Sequence, residues 1–272
     1  MDWLWLALLG FGTGAYGILV GGGFVLGPAL LIFFDLEPRV VAGTALAAVA
    51  INSLTAASIY RRMGFVDTRS GLLFAAAAIP GSIIAPFVLS SVGGSTFRLL
   101  FGLLLIGLAV LMVLRPEVSE RGEEDEGPSD SSITGRREIT TGSGQVFRYQ
   151  FNELPAILFN LVLGFLSSFF GTGGGFLRMP VLVYVFHFPV RVAVATSVFA
   201  LAFYTTAGAA THASIGHVDW YPTLVWAGLG LVVGGQVGAR LTGVFKGPWI
   251  LRLLLVLVLV MGVRLVIEGL RG

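Results

Sequence analysis

No cysteine occurs among the 272 residues, which excludes a disulfide framework, a thiolate metal site and a cysteine nucleophile. Charge is scarce too: 12% of the residues are charged against 56% hydrophobic, whereas about a quarter of a soluble domain is charged. With a mean hydropathy of +0.89, too few polar side chains remain to cover a water-facing surface. Histidine occurs only three times, no HExxH element is present and no pair of acids falls within an apolar run. Metalloprotease and paired-carboxylate chemistry therefore lack their residues, and the expectation is of a protein that is no enzyme and needs no metal or cofactor. The net charge of +2 comes from basic residues scattered at helix ends, a pattern that membrane topology explains and a nucleic-acid surface does not.

What is present is long apolar runs. Charge-free or nearly charge-free stretches cover residues 3–34, 40–60, 70–97, 99–114, 154–190, 192–218, 220–239 and 247–267. A membrane crossing takes about 20 such residues, so the chain reads as an all-α, multi-pass protein of the cell membrane with the lipid bilayer as its surroundings. The N-terminal MDWLWLALLG has no basic region ahead of its apolar run, so it is expected to be a retained span rather than a cleaved signal. Of the 32 charges, 14 fall between Arg115 and Glu153. Three segments follow: a first membrane repeat (1–115), an acidic polar linker (116–150) and a second membrane repeat (151–272). The linker is too acidic and too rich in Ser and Gly to bury a core, so it is expected to be exposed, cytoplasmic and partly disordered. In its second half REITT and QVFRYQ alternate around GSG and can fold as a hairpin.

A shift of 152 residues superposes the two repeats. It places Gly21–Phe24 on Gly173–Phe176, Pro28 on Pro180, Arg39 on Arg191, Thr44 on Thr196, and Gly64, Val66 and Asp67 on Gly216, Val218 and Asp219. Basic residues do not follow this register. Arg61, Arg62 and Arg69 flank the loop after the second block of the first repeat, while the matching loop of the second repeat has no Lys or Arg. Arg240, Lys246 and Arg252 instead flank the loop between the last two blocks. If basic loops face the cytoplasm, equivalent loops lie on opposite sides and the repeats are inverted. Inversion needs an odd number of crossings per repeat. The 32-residue first block, interrupted by Gly21–Gly23, meets that need as a broken or re-entrant helix followed by three transmembrane helices.

Breaks in a membrane helix are tolerated only where protein or a water-filled cavity satisfies the freed backbone groups. The two glycine triplets, Gly21, Gly22, Gly23 and Gly173, Gly174, Gly175, therefore mark a candidate substrate site, and a helix starting after each presents N–H groups suited to an anion. Close helix packing is the plainer use of such glycines. Arg178 lies just past the second triplet with Leu26 as its counterpart, and no acid occurs in the neighbouring spans. An intramembrane cation faces a cavity or a partner, and here the substrate can supply the negative charge; snorkelling to the interface is the alternative. Thr44, Asn52, Thr196, Ser197 and Tyr204 can donate to an oxyanion without adding charge, or make ordinary interhelical bonds. His212 and His217 flank the end of one span, where titration near neutral pH suits coupling to a proton and a structural role is the other option. Arg39 and Arg191 either steer anions inward or anchor helix ends.

The elements GTGGGFLRMPVLVYVFHFPVRVAVATSV and GHVDW, echoed by VGGGFVLGPALLIFFDLEPRVVAGTAL and GFVD, resemble the TauE/SafE sulfite exporter family over nearly all the chain except the linker. The resemblance implies a multi-pass transporter with duplicated halves, in a family associated with export of sulfite and small organosulfonates such as sulfoacetate; read as a secondary transporter, the chain has a proton or sodium ion as its candidate coupling ion. The family pattern falls on Gly21–Gly23, Pro28 and Thr44 in one repeat, and on Gly173–Gly175, Arg178, Pro180, Thr196 and Ser197 in the other. Ala45 stands where the second repeat has Ser197, so the first repeat lacks one hydroxyl. The expected mechanism is alternating access with a small anion held between the two Gly-interrupted helices; a passive anion channel has the same sequence cues.

Overall fold

The computed structural model describes residues 2–20, 25–34, 36–114, 134–142, 144–241 and 247–271. The first triplet, Gly21–Gly23, and the acidic stretch 115–133 lie outside the described residues. Ten α-helices and one hairpin follow in order: α1 (Asp2–Val20), α2 (Leu26–Phe34), α3 (Pro38–Met63), α4 (Thr68–Leu89), α5 (Gly94–Leu114), strands β1 (Thr134–Thr140) and β2 (Val146–Asn152), then α6 (Glu153–Phe170), α7 (Gly175–Tyr184), α8 (Val190–Ser214), α9 (Val225–Leu241) and α10 (Gly247–Arg271). A short kinked segment, Trp220–Leu224, with Tyr221 in extended geometry, leads into α9.

The chain is an all-α polytopic membrane protein. Among the described residues, α3, α4, α5, α6 and α8 are long and apolar enough to cross a bilayer. Its outer faces are apolar: Leu8, Leu54, Phe87, Leu103, Val113, Leu158, Val162, Phe203, Leu229 and Val260 are all exposed. Such a surface suits lipid and not water. Helix boundaries follow local chemistry. Pro38 opens α3, where its missing N–H costs nothing, and Gly64 in the left-handed region closes it. The Asp67 carboxylate accepts from the Ser70 N–H at 3.0 Å and caps α4, and Asn152 caps α6 in the same way through the Leu154 N–H.

Helix pairing is reciprocal. α3 packs on α8 and α5 on α10, while α1 packs on α9 and α4 on α6. The central pair, α3 and α8, is buried along nearly its whole length. Two crossed hydrogen bonds set its direction. The Asp67 N–H, past the end of α3, donates to Thr196 near the start of α8 (3.0 Å); the Asp219 N–H, past the end of α8, donates to Thr44 near the start of α3 (2.9 Å). The two helices therefore run antiparallel, and the Asp67 and Asp219 loops lie at opposite ends of the pair.

Backbones touch at small residues in matching places. A Cβ on Gly14 would fall 2.2 Å from the Leu231 carbonyl oxygen, and one on Gly164 would fall 2.0 Å from that of Ala78. These contacts step by 150 residues in the first helix of each half and by 153 in the fourth, against 152 in the sequence. The extra residue in the fourth helix falls between Asp219 and Leu231, a segment in which Tyr221 leaves helical geometry (φ −140°, ψ 128°).

The hairpin pairs Thr134 with Asn152 through Thr140 with Val146. It is not a solvated appendage, as the polarity of the linker suggests, because one face of β2 is aromatic. Tyr149 and Phe151 are buried against each other and against Phe188, and Phe151 meets Phe74 of α4. The Tyr149 hydroxyl donates to Asp67 Oδ2 at 2.7 Å, and Arg137 lies 3.4 Å from the same oxygen while ion-pairing with Glu153 at the start of α6. Burial, and next the charge of Asp67, push the Tyr149 phenol far above its ordinary pKa, so it stays a donor. Asp219 has a different partner: it accepts from Thr223 at 2.5 Å. The hairpin thus braces one loop of the matched pair.

Close packing at Gly164 makes a direct prediction. Gly164→Ala lowers the unfolding free energy by about 1–3 kcal/mol through overpacking, whereas Gly107→Ala, where a Cβ meets nothing within 4 Å, is neutral or stabilising by up to about 1 kcal/mol. Denaturant titration of the two variants in detergent micelles measures both effects.

Candidate functional site

Between α6 and α7 the chain makes a tight turn that only glycine adopts cheaply. Gly171 (φ 67°), Gly173 (φ 73°) and Gly174 (φ 70°) all lie in the left-handed region. The Gly171 and Thr172 N–H groups return to the Ser168 and Ser167 carbonyls, closing α6. α7 then starts at Gly175, with the Arg178 N–H on the Gly174 carbonyl at 3.0 Å. Arg178 is thereby held in the first turn of a helix that begins inside the protein.

Its guanidinium is fully enclosed, with 0% of the residue exposed, so it does not snorkel to the surface. Nε donates to Asn160 Oδ1 at 2.7 Å and Nη1 to the Ser197 carbonyl at 3.3 Å; the Tyr204 ring lies 4.8 Å from the guanidinium carbon. Asn160 is itself oriented by donating to the Ala156 carbonyl at 2.7 Å. The Tyr204 hydroxyl donates to the Gly173 carbonyl in a close contact that ties α8 to the break. The Tyr204 hydroxyl also lies beside the guanidinium and Ser167 Oγ, Nη2 completes no hydrogen bond of normal geometry, and among the described residues Arg178 forms no ion pair. A buried cation costs several kcal/mol unless it is compensated, and a neutral amide, a carbonyl and an aromatic face compensate it in part.

The surroundings are rich in donors. The hydroxyls of Ser167, Ser168, Thr172 and Ser197 are buried without hydrogen-bond partners, as Nη2 is. Ser167 and Ser168 end α6, Thr172 lies in the break and Ser197 faces it from α8. Buried polar atoms are ordinarily satisfied, so five orphans about one break call for a specific reason. Each can donate, and no carboxylate competes among the described contacts. This is the donor set for an oxyanion and a poor one for a cation. Among the described residues no cluster of three His, Asp or Glu could hold a metal ion.

The residues singled out in the sequence divide into groups. Gly173, Gly174, Gly175, Arg178, Ser197 and Tyr204 come together around the second break. Thr44 and Thr196 are drawn to opposite ends of the α3–α8 pair by Asp219 and Asp67. Asn52 is buried beside Gly235 of α9, whose Cβ would fall 2.1 Å from Asn52 Oδ1. His212 is buried, with Nε2 3.0 Å from the Ser168 carbonyl. Gly21, Gly22 and Gly23 lie outside the described residues. Asn160, Ser167, Ser168 and Thr172 were not singled out. Asn160 carries a readable signal, being a lone amide in an apolar span 18 positions before Arg178.

Comparison with known proteins adds to this geometry. A sequence model of one family, described as "Sulfite exporter TauE/SafE", matches residues 6–265. The chain is 29% identical to the probable membrane transporter protein YunE of Bacillus subtilis, over 99% of each chain. It is 27% identical to a probable membrane transporter protein of Xylella fastidiosa, over 86% of this chain and 81% of the relative. It is 29% identical to the probable membrane transporter protein ORF9 of a Sinorhizobium species, over 91% and 85%. No solved structure matches the chain.

The anchoring of Arg178 is testable by stability alone. Asn160→Leu leaves a buried charge uncompensated and costs about 3–5 kcal/mol. Adding Arg178→Met to the same chain restores most of the loss, because removing both partners is far cheaper than orphaning one. Thermal unfolding of the single and double variants in detergent checks the order; an Asn160→Leu protein as stable as the wild type would remove Asn160 from this role.

Proposed function

The chain belongs to the sulfite exporter TauE/SafE family, and from that membership we propose that it exports a small oxyanion, sulfite or an organosulfonate, held against Arg178 at the second break. It is a multi-pass membrane transporter and not an enzyme. One observation carries the choice of ligand: Arg178 is completely buried, has an unpartnered Nη2 and meets no carboxylate among the described residues. A sulfite or sulfonate group spreads negative charge over three oxygens, which suits one guanidinium N–H and the unpartnered hydroxyls of Ser167, Ser168, Thr172 and Ser197. The N-terminus of the short α7 helix supplies further positive-end electrostatics without a second formal charge, while the Tyr204 ring face stabilises the guanidinium itself.

The architecture supports alternating access by inverted halves. Matched loops lie at opposite ends of the antiparallel α3–α8 pair, each tied by an Asp N–H to a Thr of the other half. Rocking about that pair exposes the break first to one face and then to the other. The hydroxyls of Thr44 and Thr196 act here as hinge contacts, and Asn52 packs α3 against α9.

Flux in proteoliposomes tests the proposal. Radiolabelled sulfite or sulfoacetate shows saturable transport accelerated by unlabelled anion on the far side. Arg178→Ala lowers its rate at least about tenfold, the worth of one charge-assisted hydrogen bond of ~1.5 kcal/mol. Absence of flux for every such anion under any ion gradient would sink the substrate assignment, and unsaturable flux without counterflow would favour a channel.

A further inference from the structure

A second polar array connects the break to the protein surface. His212, in the last turn of α8, is fully buried, and its Nε2 lies 3.0 Å from the Ser168 carbonyl, one residue from the orphaned Ser167 and Ser168 hydroxyls of the site. Its other nitrogen, Nδ1, lies 3.1 Å from Nδ1 of His217. His217 Nε2 in turn lies 3.5 Å from Ser90 Oγ. Ser90 lines a cleft of about 260 Å³ with Glu37, Pro38, Arg39 and Gly93.

Proton counting makes this array distinctive. A carbonyl only accepts, so His212 Nε2 carries a hydrogen. The Nδ1···Nδ1 contact then holds either one proton or two opposed lone pairs, and the second arrangement is repulsive at 3.1 Å. Two arrangements satisfy every group. In the neutral one, Ser90 donates to His217 Nε2, and His217 Nδ1–H donates to His212 Nδ1. In the protonated one, His217 Nε2–H donates to Ser90 Oγ, Ser90 donates to the Pro86 carbonyl, and the single proton between the Nδ1 atoms stays. The two differ by one proton, taken up from the cleft side. Ser90 Oγ lies 3.0 Å from the Pro86 carbonyl and 3.5 Å from His217 Nε2, so its hydroxyl can turn to either acceptor. The cations and acids around the pair are few: Arg39 at the start of α3 acts on His217 and is paired with Glu37 at 2.8 Å, and Asp219 in the His217 loop is engaged by Thr223. No carboxylate among the described contacts touches either ring.

We propose that His212 and His217 together form a one-proton site that couples anion movement at the break to proton entry from the Arg39–Ser90 cleft. The proposal rests on the reading of this chain as an anion transporter. An anion seated near the Ser168 end of α6 favours the protonated pair by charge, and loss of the proton to the opposite face, once the break opens there, weakens that hold. One proton enters and one leaves per cycle, with Ser90 turning between its two acceptors.

Two measurements decide it. Nitrogen-15 spectra of the histidine-labelled full chain in nanodiscs show His212 and His217 titrating as one coupled step that takes a single proton, with His187 separate; two independent steps would overturn the one-proton site. With membrane potential clamped, one coupled proton turns a pH difference of one unit into about a tenfold accumulation ratio. In His217→Gln the ratio of pH-driven accumulation to anion exchange collapses, and in Ser90→Ala, at an exposed position, pH-driven uptake slows while exchange persists. Undiminished pH-driven accumulation in His217→Gln would overturn the coupling role. A wild-type protein that moves no anion overturns the transport reading on which coupling rests, and the spectra still decide whether the pair binds one shared proton.

Discussion

A guanidinium enclosed inside a membrane protein constrains everything around it. Arg178 has given up its hydration, and what it receives within the described structure is an amide oxygen, a carbonyl and a ring face. Each partner depends on another element. Asn160 comes from α6, Ser197 and Tyr204 from α8, and the backbone that presents Arg178 is held in place by the glycines of the break. A charge compensated by neutral dipoles, with one N–H left over, is costly to leave in dry, apolar surroundings. That single requirement explains why the break is tight, why its glycines adopt left-handed angles and why Tyr204 is pinned to the Gly173 carbonyl.

The second constraint is reciprocity. α3 and α8 run antiparallel at the centre of the molecule, and each receives at its start the loop that ends the other. The remaining helices pair across the same relation, α1 with α9 and α4 with α6. Symmetric contacts between asymmetric sequences let one half enclose a charge where the other has an apolar residue. Arg178 faces Leu26 in this relation, and the Asp67 loop carries a bracing hairpin while Asp219 turns to a threonine.

Parts of this were legible in the sequence because they are rare. A glycine triplet in an over-long apolar run announces a backbone break, an arginine past it announces a cation that is either enclosed or snorkelling, and alternating REITT and QVFRYQ announce a strand pair. Other parts were hidden because their signals are common. Serines and threonines in membrane helices ordinarily bond to the preceding turn, as Thr205 and Thr211 do here, so Ser167, Ser168 and Thr172 do not stand out. The packing of the hairpin depends on Phe74 and Phe188, which no linker composition predicts. The crossed Thr–Asp bonds arise from tertiary geometry between segments 129 and 175 residues apart.

The most direct measurement is a map of the protein soaked with selenite, the heavier chemical analogue of sulfite. The account predicts scattering within hydrogen-bond reach, about 3 Å, of Arg178 Nη2 at the break between α6 and α7. Selenite found only elsewhere at saturating concentration, or Arg178 contacted by a carboxylate instead, would contradict it.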